Sequence, residues 1–421
     1  MAEEGSSVKL IEDFILPKIL QELQGATILQ HELRAMDGMK DNWASTMFEI
    51  KLDVQRKVKE PLHAILKVMN EDKNVREKMK SHKQFFNEIH FYSTAMSLFT
   101  SVVAAEELKF TFDRLFPKCF CSYYNVNKKP ENYEDAYIVM ENLKVRGFKL
   151  GNRTSLDFKH CSLALQCLGE FHALSYFIKE RVPDRFINEV VKPIHETNYD
   201  PSDRKTWNDM FGACEQRIID ACDSESVRNR LRELATREPF DVFTELVQPQ
   251  EPLAVLCHGD FLRNNVLFRY ENGEPVEMKF IDFQTIRYAS PTIDISLLLC
   301  MNTTHELRVA HWDELLQVYH NSLTNTLSSL LRKPKDHLDS RYSFDSFMAD
   351  FRRHAVYGYL IAIEFQLWMF AEESELEAFV KMYWEERGSP RHLEALRHLG
   401  GVQATRELVM LAKDLVEKKC I

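Results

Sequence analysis

Between Leu256 and Gln284 the chain carries three oxygen-bearing side chains, Asp260, Asn265 and Asp282, at spacings that suit a hard cation. Val266–Tyr270 and Val276–Ile281 are β-type runs separated by Glu271-Asn272-Gly273-Glu274-Pro275. Asn-Gly between such runs predicts a hairpin. Folding about Gly273 pairs positions whose numbers sum to about 546. Asn265 then stands opposite Asp282, roughly 5 Å away. An amide oxygen and a carboxylate at that spacing, with Asp260 on the loop before them, match the oxygen ligands that Mg2+ requires. Alone, the Asn/Asp pair would read as polar residues at the end of a surface hairpin. His258-Gly259-Asp260, five residues ahead of Asn265, turns the reading toward chemistry.

The elements that must position these groups fall into two regions. Residues 1–25 predict an amphipathic helix, and 26–34 a strand. Phe48, Ile50, Leu52 and Val54 alternate with Glu49, Lys51 and Asp53, the pattern of a half-buried strand. His63–Met69 predicts another strand, with Lys67 among apolar neighbours. Val75–Tyr92 predicts a helix with Phe85, Glu88, Ile89 and Tyr92 on one face. Cys119–Val126 and Ala136–Met140 complete five strands, so residues 1–140 form a small α+β lobe. Residues 141–421 are mainly helical apart from the hairpin, with Ser389-Pro390 opening one helix and Gly400-Gly401 stopping it.

A lysine on the third of five strands, a glutamate on the following helix and an Asp…Asn…Asp set are the parts of kinase-type phosphoryl transfer. That reaction requires positioned phosphates, a metal's charge and an oriented hydroxyl. Lys67 is the candidate for the α/β-phosphates of ATP, and Glu88 would hold it by an ion pair. A lone strand lysine is usually outward-facing and a lone helix glutamate solvated; their joint placement supports the functional reading. Asp260 would accept or orient the proton of the substrate hydroxyl, while Asn265 and Asp282 hold Mg2+. The loop Gly38–Ser45, including Asp41, Asn42, Ala44 and Ser45, would cover the phosphates with backbone N–H groups, although one glycine is weak evidence taken alone. Glu141 and Leu143, after the fifth strand, would meet adenine; a plain linker reads equally well there. Asp294 would brace the catalytic loop or cap a helix.

At these residues the chain resembles the kinase-like superfamily of small-molecule phosphotransferases, whose signature is HGDxxxxN followed by a metal-binding Asp. More narrowly it is similar to the ecdysteroid kinase-like (CHK-type) family of insects and other invertebrates. That closer likeness rests on Asp41–Ser45, Phe86–Tyr92, Phe171-His172-Ala173-Leu174-Ser175 and Tyr288–Asp294, and covers roughly residues 25–330. The resemblance implies a bilobal protein-kinase-like fold, ATP and Mg2+ as cofactors, and an ecdysteroid, related steroid alcohol or hydroxylated xenobiotic as acceptor. Lys40 stands where the family loop usually has glycine. Gln284 replaces the glycine of a protein-kinase DFG, as is usual in this family.

Two features point away from a protein kinase. Gly259 occupies the place of the arginine that reads a phosphorylated activation loop, and eleven residues between Asp282 and Asp294 leave no peptide platform. The acceptor is therefore expected to be small, in a pocket built from residues 184–250 and the aromatic-rich stretch Tyr342–Phe370. A choline- or aminoglycoside-type kinase is the alternative within enzymes, calling respectively for an aromatic cage or clustered carboxylates; a nucleotide-binding pseudokinase acting through partners is the alternative outside them.

Composition bounds the rest. The 421 residues are long enough for two lobes. A net charge of −10 argues against a general nucleic-acid binder. The polar, acidic N-terminus has no signal core, and Ala355–Phe370 is shorter than the roughly 20 residues a membrane span needs. The nine cysteines include no CxxC, which suits reduced cytoplasmic thiols rather than disulfides or a zinc site. His31-Glu32 lacks a zincin's second histidine, and no GxSxG or P-loop is present. No obligate protein partner is evident.

Overall fold

The computed structural model describes residues 11–22, 27–36, 45–55, 59–70, 72–125 and 135–421. They fall into two compact units. The first holds residues up to 149 together with the returning segments 193–197 and 279–284; the second holds 150–192, 198–278 and 285–421.

The first unit is built on an antiparallel sheet. β1 (Thr27–Ala35), β2 (Ser45–Gln55), β3 (Lys59–Met69), β4 (Cys119–Tyr124) and β5 (Ala136–Glu141) run in the order β1-β2-β3-β5-β4. The alternation in β2 is realised, with Phe48, Ile50, Leu52 and Val54 buried in the core. Ile15, Leu16 and Ile19, from the π-turn Ile11–Ile15 and helix α1 (Leu16–Glu22), close over the same core. The helix expected over 1–25 thus occupies Ile11–Glu22 among the described residues. The strand expected at His63 starts earlier, at Lys59. The one helix expected over Val75–Tyr92 is two, α2 (Lys73–Lys78) and α3 (Ser81–His90), broken where Lys80 turns left-handed at φ 53°. The break has a physical cause: α2 buries none of its residues, while α3 buries Gln84, Phe85, Asn87, Glu88 and Ile89. A straight helix could not keep the charged segment in water and its successor in the core.

The second unit is helical. α4 (Phe158–Arg181) packs along α8 (His305–Leu331), and α7 (Thr292–Asn302) against α10 (Val356–Phe370). Every residue of α7 is buried. Its approach to α10 depends on Gly358, where a Cβ would stand 2.3 Å from the Ser296 carbonyl oxygen. α5 (Arg204–Ala221) and α6 (Pro239–Leu246) lie in the segment after α4; α9 (Phe344–His354), α11 (Glu373–Glu386), α12 (Pro390–His398) and α13 (Gly401–Glu417) complete the chain. Ser389 caps α12 through the His392 N–H, with Pro390 in the first turn. Short strands β6 (Val255–Cys257) and β9 (Arg287–Ala289) pair, placing Cys257 opposite Arg287.

The hairpin is present as β7 (Val266–Glu271) and β8 (Glu274–Phe280). Its turn is tighter than the five residues expected. Only Asn272 (φ 51°) and Gly273 (φ 84°) separate the strands, and Pro275 lies inside β8. Two left-handed residues twist in the sense that paired strands do.

Candidate functional site

In the first unit, β3 is flanked by β2 and β5, with Lys67 opposite Met47 and Ile138. The burial that suits Leu66 and Val68 therefore takes Lys67 in as well, leaving it 4 % exposed. Its Nζ donates to Glu88 Oε2 at 2.7 Å and to Asp282 Oδ1 at 2.5 Å. Burial opposes the ammonium charge, but Asp282 and then Glu88 outweigh it and hold the lysine above its ordinary pKa. For Glu88 the balance is reversed. Burial pushes its carboxyl up more strongly than Lys67 pulls it down, and Asp282 adds repulsion. One lysine thus serves two carboxylates, and the deeper carboxylate is the worse served: among the described residues Glu88 Oε1 has no hydrogen-bond partner.

Asp282 sits at φ 67°, a left-handed conformation uncommon outside glycine, though aspartate adopts it more readily than most residues. Its neighbours hold it there. The Phe283 ring stacks on Phe91 at 3.6 Å and 9° and meets Phe116 at 5.8 Å. Asn87, beside Glu88 on α3, donates from Nδ2 to the carbonyls of His195 (2.8 Å) and Gln284 (3.2 Å) and accepts the His195 N–H at 2.9 Å. One turn of α3 thereby carries the lysine's partner and fastens the segment after β8 that bears Asp282.

Glu141 ends β5, and its carboxylate accepts from Arg146 at 2.7 Å. Asn142 binds Glu49 through Nδ2 at 2.7 Å and the His63 carbonyl through its N–H at 3.1 Å, and Leu143 is buried. Ser45 opens β2 and is buried. Asp41, Asn42 and Ala44, and the Gly38–Ala44 part of the expected phosphate-covering loop, lie outside the described residues.

In the second unit the loop after β6 is organised by two side chains. Asn265 Nδ2 donates to both the carbonyl and Oδ2 of Asp260, each at 2.8 Å. Asp294, fully buried on α7, accepts the N–H of His258 at Oδ2 (2.7 Å) and that of Gly259 at Oδ1 (2.8 Å). The bracing role is realised: Asp294 lies inside α7, whose capping position is Pro291. Gly259 is required on two counts. Its φ is +82°, and a Cβ would stand 1.9 Å from the Thr285 carbonyl oxygen.

Sequence reasoning missed what lies behind Asp294. His172 on α4 meets Asp294 Oδ2 through Nε2 at 3.2 Å and Tyr319 through Nδ1 at 2.8 Å. Ser175 accepts the Leu256 N–H at 2.8 Å, Tyr176 donates to the Leu253 carbonyl at 2.5 Å, and Lys179 donates to the Ala254 carbonyl at 2.7 Å. Positions 172, 175, 176 and 179 share one helix face, so a polar stripe on α4 grips the strand leading to Asp260. Polar residues at i, i+3, i+4 and i+7 within an otherwise apolar helix were the available signal. His172, Cys257 and Asp294 also bring three metal-type donors within 4.8 Å of one another. Each is already engaged, Asp294 by the two amides and Cys257 by the Ser290 carbonyl at 3.3 Å, so the trio reads as a brace.

Within the second unit, Asn265 spends its amide nitrogen on Asp260, and its amide oxygen is of the kind that suits Mg2+. Within the first, Asp282 spends Oδ1 on Lys67 and keeps a second carboxylate oxygen, also of that kind.

The sequence of residues 39–332 matches the model of the ecdysteroid kinase-like family, and the chain belongs to that family. An uncharacterized kinase-like protein of Caenorhabditis elegans is 24% identical over 214 residues. The match takes in 49% of this chain and 52% of that protein, so the chain spans about half the length of the curated relative. Among solved structures, choline kinase from Cryptosporidium parvum Iowa II is similar at 11% identity and TM-score 0.41, covering 93% of this chain and 91% of that one. A variant of aminoglycoside 2′-phosphotransferase IIIa solved with GDP is similar at 11% identity and TM-score 0.39, covering 91% and 96%. No helix among the described residues is long and apolar enough to cross a membrane.

Proposed function

We propose that this protein transfers the γ-phosphoryl group of ATP, with Mg2+, to a hydroxyl of a small molecule of the ecdysteroid or related hydroxylated class. The observation that carries the reading is the convergence of Lys67, Glu88 and Asp282, residues far apart in sequence, in one buried ion-paired group. A buried lysine held charged by two carboxylates is suited to phosphate oxygens, which would take over part of its hydrogen bonding. Asp282 and Asn265 would hold the metal, which when bound supplies positive charge against the phosphate oxygens.

Asp260, its carbonyl and Oδ2 fixed by Asn265 and its loop fixed by Asp294, is the group to which the acceptor gives up its proton. As the acceptor oxygen bonds to phosphorus, the bond to the ADP oxygen breaks and the hydroxyl proton passes to the Asp260 carboxylate. Glu141 and Leu143 are the proposed adenine contacts, with Asp41, Asn42, Ala44 and Ser45 over the phosphates. The nine cysteines are present as thiols, which supports a reducing compartment such as the cytoplasm.

Release of ADP, measured with wild type and Asp260→Ala across steroid alcohols, amino alcohols and aminoglycosides, tests the proposal. Turnover with a steroid alcohol that drops about 10²–10⁴-fold in the variant is expected. Tight Mg-ATP binding with no turnover on any acceptor would make the protein a nucleotide-binding module instead.

A further inference from the structure

The second unit contains a buried polar group that the phosphotransfer chemistry leaves unused. Glu364 on α10 is completely buried, and among the described residues neither carboxylate oxygen has a hydrogen-bond partner. One turn on, the Trp368 Nε1–H is also unpartnered, as is Nε of Arg387 at the end of α11. Buried polar groups are nearly always satisfied, so several orphans together call for a partner. The walls around them are aromatic. The Arg387 guanidinium lies 5.6 Å from the Trp207 ring and 4.9 Å from Tyr383, and Tyr383 meets Trp368 edge-on at 5.1 Å. The side chains of Trp368, Tyr383 and Arg387 are half-buried as wholes, while Glu364 is fully buried.

The same group connects to the catalytic loop. Arg287 Nε lies 3.3 Å from where a Cβ on Gly259 would stand, and its guanidinium is 5.4 Å from the Tyr199 ring. Tyr199 in turn lies 5.3 Å from Trp207. A continuous cation–aromatic stack thus runs from the residue beside Asp260 to Arg387.

We propose that Glu364, Trp368 and Arg387 form an acceptor-recognition box that binds hydroxyl groups carried on an apolar frame. The charges decide the chemistry. An ammonium entering to meet Glu364 would face Arg387, and a phosphate or carboxylate entering to meet Arg387 would face Glu364. A hydroxyl is neutral, donates to Glu364 and accepts from Trp368 or Arg387, while the rings cover the hydrocarbon. Burial pushes the Glu364 carboxyl up to about 7, against the pull of Arg387, so near neutral pH it can accept from a hydroxyl as the carboxylate or donate to one as the acid.

The inference rests on the kinase reading above, and its test separates the two. Calorimetric dissociation constants for ecdysone (several hydroxyls), pregnenolone (one) and choline (cationic) are measured on the full chain, Glu364→Gln and Trp368→Phe. Trp368→Phe keeps the wall and removes one donor. Each variant is expected to weaken ecdysone about tenfold, the loss of one buried hydrogen bond, with pregnenolone and Mg-ATP unchanged. Equal ecdysone affinity in all three proteins, no ecdysone binding to wild type, or choline as the tighter ligand overturns the box. Phosphoryl transfer to ecdysone, followed on the same samples, tells the two ideas apart. Transfer with unaltered affinity in the variants removes the box alone, and altered affinity without transfer removes the kinase reading alone.

Discussion

Asp294→Ala should unseat the loop after β6, and the size of the effect follows from three contacts. The carboxylate accepts the N–H groups of His258 and Gly259 and the His172 ring, all in a fully buried setting. Removing it leaves two backbone donors without partners. Each unsatisfied buried donor costs about 1–3 kcal/mol, so the variant should lose about 2–6 kcal/mol of stability. Asp294→Asn should lose less, because the amide oxygen still accepts one N–H while the amide nitrogen faces the other donor. Urea unfolding of the three proteins gives the differences, and hydrogen exchange at residues 258 and 259 shows where they arise. Phosphotransfer should fall further than Mg-ATP binding, since the loop positions Asp260. A loss below about 1 kcal/mol in Asp294→Ala, with exchange at both amides unchanged, would refute the bracing argument.

Three further outcomes are expected. Lys67→Met strands Glu88 and Asp282 without their cation and should cost about 3–5 kcal/mol in thermal or urea unfolding, with part of the loss recovered in the double variant with Glu88→Gln; additive losses would show that the pair is not coupled. Gly259→Ala should be far more damaging than Gly273→Ala, because both sit at positive φ but only the first Cβ meets a backbone atom; the Gly273 change should cost about 1–2 kcal/mol, and equal unfolding midpoints would contradict the geometry. Glu364 gives a pH dependence. Its folded pKa is about 7 against an ordinary 4.5, so between these values the folded state holds a proton that the unfolded chain has released. Stability therefore falls as pH rises from about 4.5 to about 7, by about 3 kcal/mol for this group. Urea unfolding at pH 5 and pH 8 should show that fall diminished in Glu364→Gln.

Much of the fold was legible in the chain because it is written in local pattern. The alternation of Phe48, Ile50, Leu52 and Val54 forces one face of β2 inward, and Asn272-Gly273 accommodates two left-handed residues that few other pairs would. The candidate site was partly legible for a similar reason. His258-Gly259-Asp260 and Asn265 are close in sequence, and Asn265 binds Asp260 directly. Less was legible where a charged stretch and an apolar stretch share one helical period, as at Lys80, since periodicity does not mark where a helix must bend to bury only part of itself.

The sequence alone determined which side chains could do chemistry and which faces had to be buried, because side-chain type and backbone period are local properties. Tertiary structure alone decided the partners. Lys67 divides itself between Glu88, 21 positions away, and Asp282, 215 away. Asp294 reaches back 36 and 35 positions to two amides, and His172 supports it from 122 positions off. Glu364 and Trp368 fall in the aromatic-rich stretch Tyr342–Phe370 that the sequence assigns to the pocket, whereas nothing in the sequence singles out Arg387. Only the crossing of the helices leaves them buried without partners, because a hydrogen bond depends on distances of a few ångströms that the backbone period does not encode.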